Sequence, residues 1–129
     1  MNTLYSQANM LLAEASQEKA KNIYQKLLKS DHEALDPNMK ADILHNLGMI
    51  AESEEDVSAA IRFYREAIAI NENRSATWLF LARIYLNRFE KNGDSADYQA
   101  GVFSVVQAEK SATTNYPVIG LLKKKYALS

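Results

Sequence analysis

Two histidines and no cysteine set the limits of nucleophilic and metal chemistry in this 129-residue chain. His45 stands one helical turn from Asp42 and from Met49, and His32 sits between Asp31 and Glu33. A zinc site draws several nitrogen, sulfur or carboxylate donors together, and neither histidine has that company, so no metal site is expected. His45 reads as a surface or groove residue and the His32 trio as a solvated loop. The lack of cysteine excludes disulfides, thiolate metal sites and a cysteine nucleophile. There is no phosphate-binding glycine loop, no nucleophile elbow and no convincing pairing of an acid with a base. The expectation is a protein that is not an enzyme, with no catalytic residues and no cofactor. The acidic run Glu52, Glu54, Glu55 and Asp56 is placed at a turn and a helix start, where negative charge is favoured.

Composition narrows the partners. Fifteen basic and sixteen acidic side chains leave a net charge of -1, so the chain has no cationic excess with which to release counterions from nucleic acid. Apolar residues make up 47% of the sequence and there are only 4 Gly and 2 Pro, which suits a folded chain with room for long helices. Met1 to Ala15 carries no basic segment ahead of its apolar residues and does not read as a signal peptide. The longest unbroken apolar stretch, Trp78 to Ala82, falls far short of the ~20 residues that span a bilayer. A cytoplasmic protein with no membrane insertion and no nucleic-acid partner is expected.

The elements that would carry these side chains follow from an internal repeat. Leu44, Leu47, Gly48 and Ala51 are answered 34 residues later by Trp78, Leu81, Ala82 and Tyr85, a period that belongs to helical hairpin repeats. Between them Ala60, Tyr64 and Ala67 supply the second helix of the unit. Leu4, Ala8, Ala20 and Tyr24 precede Leu44, Gly48, Ala60 and Tyr64 by 40 residues, which puts six extra residues into Ser30 to Asp36. Gly101, Val105 and Ala108 follow Ala60, Tyr64 and Ala67 by 41, which puts seven more around Arg88 to Ala96, with a turn at Asn92 to Ser95. The pattern predicts helices near 2–14, 17–31, 37–53, 57–71, 75–91, 97–111 and 117–127. Asp36 before Pro37, Asp56 and Asp97 are the expected N-caps.

Small residues let antiparallel helices approach, so Ala8, Gly48 and Ala82 are expected to meet Ala20, Ala60 and Gly101. Leu44, Leu47, Trp78, Leu81, Tyr64 and Tyr24 are spaced at three and four and should form an interior stripe. The tail from Pro117 sets Val118, Ile119, Leu121, Leu122 and Tyr126 against Lys123, Lys124 and Lys125. It is an amphipathic helix suited to covering the last repeat, as the ends of a solenoid require.

These residues resemble the tetratricopeptide repeat family along nearly all of the chain. The middle unit matches best, departing at Ala51, where an aromatic is usual, and at Glu72, where proline is usual. The first unit has Gln7 and Ala8 in place of leucine and glycine, and the third has Gly101 and Val105 in place of alanine and an aromatic. The resemblance implies an all-α, right-handed α-solenoid of three helix hairpins plus a C-terminal capping helix. It would be a single domain over 1–129, with repeats about 1–40, 41–74 and 75–115 and the cap about 116–128. It also implies a concave groove lined by the first helices, which here would present Tyr5, Asn9, Leu12, Asp42, His45, Asn46, Met49, Leu79, Phe80, Arg83 and Leu86. Leu12, Met49, Leu79, Phe80 and Leu86 would form an exposed apolar patch, and Asn9 and Asn46 could hydrogen-bond a bound main chain. A subtype of the family clamps the C-terminal carboxylate of heat-shock chaperones with two asparagines and three cations. Asn9 and Asn46 match the asparagines, but Tyr5, Ala76 and Phe80 stand where the cations belong, so the resemblance does not extend to that ligand. The function implied is a protein-interaction module (adaptor, scaffold or chaperone) that binds an apolar or amphipathic peptide. The alternative is a homo-oligomer built through the groove or the C-terminal helix.

Overall fold

The computed structural model describes residues 3–13, 16–29, 35–112 and 116–128, so His32, Asp31 and Glu33 lie outside the described residues. The described residues form seven α-helices and no strand: α1 (Thr3–Ala13), α2 (Gln17–Lys29), α3 (Pro37–Ser53), α4 (Val57–Ile70), α5 (Ser75–Asn92), α6 (Ser95–Ser111) and α7 (Pro117–Lys125). This is the all-α helical repeat architecture expected from the 34-residue spacing. The short connections make α3 and α4, and likewise α5 and α6, antiparallel neighbours.

Helix ends follow local chemistry. The Asp36 carboxylate accepts from the Asn38 amide at 2.7 Å ahead of Pro37, and Asp56 accepts from Ala59 at 3.1 Å. The expected cap at Asp97 is corrected: α6 starts two residues earlier, and Asp94 caps it by accepting from Ala96 at 2.9 Å. Asp97 instead lies buried in the first turn, where the helix dipole favours its charge, beside Arg88 at 3.6 Å and Asn92 at 3.3 Å. The extra residues before it do not make a long loop. They extend α5 to Asn92, where Gly93, at φ 69°, closes the helix in the left-handed conformation that glycine adopts without a Cβ penalty.

Close approach is real, and a large side chain sets it: the atoms nearest a Cβ on Gly48 would be those of the Tyr64 ring, and on Gly101 those of the Leu86 side chain. A Cβ on Gly101 would sit 2.6 Å from Leu86 Cγ and from Cδ2. A glycine on one helix therefore lets a large side chain on its hairpin mate lie flat against bare backbone. Ala8 and Ala20 are wholly buried in one cluster with Tyr24, Ile43 and Leu47.

The core runs the length of the array because a few large side chains belong to more than one layer. Phe63 packs against three of the four buried clusters, and Trp78 joins the cluster of α4 and α5 to that of α5, α6 and α7. The last helix closes the end as its pattern suggested. Ile119 is buried among Leu79, Ala82, Leu86, Val105 and Ala108, with Tyr116, Leu122 and Tyr126 around it. Lys123 pairs with Glu109 at 3.0 Å and Lys125 with Glu90 at 3.2 Å. Exposed pairs of this kind contribute little because water screens them, so apolar burial holds the cap in place.

Candidate functional site

The first helix of each hairpin, α1, α3 and α5, shares one side of the molecule, and a chain of hydrogen bonds crosses it. Asn46 Nδ2 donates to the Tyr24 hydroxyl at 3.0 Å, and that hydroxyl donates to Asn9 Oδ1. The Tyr5 hydroxyl, one turn before Asn9 on α1, donates to Asp42 Oδ2 at 3.0 Å. Arg74 Nη1 donates to Asp42 Oδ1 at 2.7 Å, and its Nε donates to Thr77 Oγ1 at 3.2 Å. Thr77 Oγ1 is in turn hydrogen-bonded to His45 Nδ1 at 2.9 Å. Tyr5, Asn9, Asp42, His45 and Asn46, each expected on this face, are thus all held by hydrogen bonds that join α1, α3 and α5. Charge-assisted bonds such as Arg74 to Asp42 are the stronger members of such a chain.

The surroundings set the protonation of these groups. Burial, then the nearby Arg74 charge, lowers the His45 pKa to about 4 against an opposing pull from Asp42, so the ring is neutral at pH 7. The ring lies between Tyr64 and Phe80, with centroids 5.2 and 4.8 Å away. Burial also raises the Tyr24 and Tyr5 phenols, which remain protonated donors. The Tyr64 phenol is pushed up by burial and by its hydrogen bond to Glu52.

A second group lies beside the network. Arg83 Nη2 reaches Glu52 Oε2 at 2.8 Å and Oε1 at 3.1 Å, while its guanidinium lies 4.7 Å over the Phe80 ring. Glu52 was grouped with the acids of a turn and helix start. It lies instead in the last turn of α3, where the helix dipole opposes a negative charge, and Arg83 and Tyr64 hold it there. The arginines on this face are therefore committed to carboxylates, Arg74 to Asp42 and Arg83 to Glu52.

The expected apolar patch needs correction. Met49 is exposed at 37%, and Leu12 and Phe80 are half-buried, but Leu79 at 7% and Leu86 at 0% are core residues packed with Ala82, Val105 and Ala108. Leu86 fills the space left by Gly101, which turns it away from the face on which Arg83 is exposed. His45, expected at the surface or in a groove, is only 8% exposed, because Tyr64 and Phe80 close over it.

Four residues of the site were missed by sequence reasoning: Tyr24, Glu52, Arg74 and Thr77. Glu52 was within reach, since extending the stripe of Asp42, His45 and Met49 by one step of three arrives at it. Arg74 and Thr77 join partners 32 residues away, and Tyr24 joins Asn46 from 22 residues away. No local spacing encodes such pairs.

Residues 41–74 match the family model described as tetratricopeptide repeat. The matched span opens one residue before Asp42 and ends on Arg74, so it contains both ends of the ion pair. No curated protein matches the chain.

Proposed function

We propose that this chain, a tetratricopeptide-repeat protein, is a protein-interaction module that takes an apolar or amphipathic polypeptide segment along the face of α1, α3 and α5. The observation that carries this reading is the set of hydrogen bonds that links Asn46 to Asn9 and Tyr5 to His45. It holds side chains of α1, α3 and α5 in one arrangement beside the exposed Met49 side chain and the Phe80–Arg83 pair. A surface fixed before binding loses less side-chain entropy when a partner arrives. The mixture also suits a segment with both kinds of group: Met49 is flexible and polarizable, and the remaining lone pairs and protons of Asn9, Asp42 and Asn46 can meet a main chain. The reading assigns the protein a binding role with no catalytic step.

Affinity purification from native lysate with the wild type and with Met49→Glu in parallel tests it. Met49→Glu places a charge in the middle of the face at an exposed site, so folding should be kept while a specific partner is lost or reduced by at least about tenfold. Equal recovery of the same partners by both proteins would count against the reading.

A second reading, self-association, is favoured by the apolar strip on α7, where Leu121 is 65% and Val118 43% exposed. Light scattering on wild type and Leu121→Lys separates the two, because a dimer built on α7 would fall to a monomer in the variant.

A further inference from the structure

A different surface lies on the other side of α5. Trp78, Leu81 and Tyr85 are rotated roughly 150° around the helix from Phe80 and Arg83 at 100° per residue. With Ile68 and Arg65 of α4 and Phe103 of α6 they wall an open cleft of about 450 Å³. Trp78 and Phe103 also line the hollow that continues the cleft past the α4–α5 turn. The Trp78 ring is fixed, with Nε1 donating to the Glu72 carbonyl at 2.8 Å and the Phe103 ring meeting it edge-on at 5.7 Å. Phe103 is nonetheless 56% exposed. A rigid aromatic pair with one member open to solvent is the kind of pocket that accepts a bulky apolar anchor.

The charge around the cleft has a sign. Arg65 is the one charged residue on the cleft wall among the described residues, and it makes no ion pair among them. Arg62, one turn earlier on α4 and 5.0 Å from the Phe63 ring, borders the same side. Two acids border the cleft without lining it: Glu66 lines the flanking hollow with Arg62 and Arg65, and Glu72 lines the continuing hollow with Trp78 and Phe103, so the positive sign is that of the cleft wall itself. A guanidinium without a partner beside an apolar slot favours a ligand that brings a carboxylate. The exposed apolar strip on α7 is a poor occupant from a second copy, since Lys123, Lys124 and Lys125 accompany it.

We propose that this cleft docks an acidic amphipathic segment of another protein. A large apolar side chain enters between Trp78 and Phe103, and an Asp or Glu about one helical turn away pairs with Arg65. This is a second docking surface, independent of the α1, α3 and α5 face.

The test is selection of a displayed library of random peptides, about 15 residues long so that a helix can form, on the full chain. Selected peptides are synthesised without tryptophan and titrated while reading the emission of Trp78, the chain's single tryptophan. The expected winners carry Asp or Glu within about one turn of a large apolar residue and shift the Trp78 emission. Arg65→Glu and Phe103→Ser should each weaken them by about tenfold or more. Both positions are exposed, so helical content should be kept, with at most a small drop in melting temperature for Phe103→Ser from the lost contact with Trp78. A winner with its acids replaced by Lys should prefer the Arg65→Glu variant over the wild type. Winners without acidic residues, or winners indifferent to both cleft variants, would overturn the proposal. If those indifferent winners are lost on Met49→Glu, the binding belongs to the α1, α3 and α5 face alone. A drop in oligomer size on Phe103→Ser in light scattering would make the cleft a self-interface and overturn it as well.

Discussion

Replacing Gly48 with alanine puts a methyl group into the space of the Tyr64 ring. A Cβ there would lie 2.6 Å from Cδ1 and 2.9 Å from Cζ, with Cε1 closer still, where a comfortable carbon contact is about 3.5–4.0 Å. The ring must retreat by roughly 1 Å, and it has nowhere to go. It is wholly buried, His45 and Phe80 stand at 5.2 and 5.6 Å, and its hydroxyl is tied to Glu52. Overpacking of this kind costs about 1–3 kcal/mol, while the better helical preference of alanine offsets about 0.5–1 kcal/mol. So confined a ring puts the cost in the upper part of that range, and the clash wins, for a net loss of about 1–2 kcal/mol and a Tm lower by roughly 3 to 8 °C. Urea unfolding followed by helical circular dichroism and by Trp78 emission measures it. In a Tyr64→Leu background the same substitution should be neutral or mildly stabilising, giving a coupling energy above about 1 kcal/mol. Gly120→Ala is the control: Gly120 is exposed on α7 with nothing within 4 Å of a Cβ, so it should stabilise by about 0.5–1 kcal/mol. If Gly48→Ala is as mild as Gly120→Ala, or costs the same with and without the Tyr64 ring, close approach is not what requires glycine at that position.

Further outcomes follow from the same structure. His45 takes up its proton only near pH 4 when folded but near 6.5 when unfolded. Stability should therefore be complete above pH 6.5 and fall by about 2 to 3 kcal/mol as the pH drops towards 4. His45→Gln should flatten that slope in urea titrations across the window, and an unchanged slope would refute the assignment. Gly93→Ala forces a Cβ into a left-handed backbone at φ 69° and should cost about 1–2 kcal/mol, read as a lower melting temperature. Leu86→Ala should cost about 2–5 kcal/mol because the side chain is fully buried against Gly101. Met49→Ala, at an exposed position, should stay within about 0.5 kcal/mol, and equal costs for the two would contradict the placing of Leu86 in the core and Met49 at the surface.

The connecting network shows where sequence reasoning stops. Helix starts at Asp36 and Asp56 were legible because a cap bonds an amide two or three residues away, within one short stretch of chain. The same logic erred at α6, where Asp94 and Asp97 were both competent caps and the left-handed turn at Gly93 decided for the earlier one. Leu79 and Leu86 were assigned to the open face because periodicity fixes a residue's angle on its own helix and leaves unstated which arc the neighbouring helices cover. Gly101 is the residue that draws α6 over Leu86, and it lies 15 positions further along the chain. Glu52 was misread for a related reason: its charge suits a turn, and its partner Arg83 is 31 residues away.

Residue types recurring at offsets of 34, 40 and 41, with an amphipathic tail after Pro117, were enough to specify hairpins, their order and the end cap, because side-chain size at a helix crossing is a local property and each unit meets only its neighbours. Which polar groups find one another was settled only by the stacked hairpins. Tyr5 and Asp42 are 37 residues apart, and a hydrogen bond between them depends on the rotation and spacing of two helices to within about half an ångström. That precision comes from the packed core beneath them, where Tyr24 and Tyr64 lie fully buried.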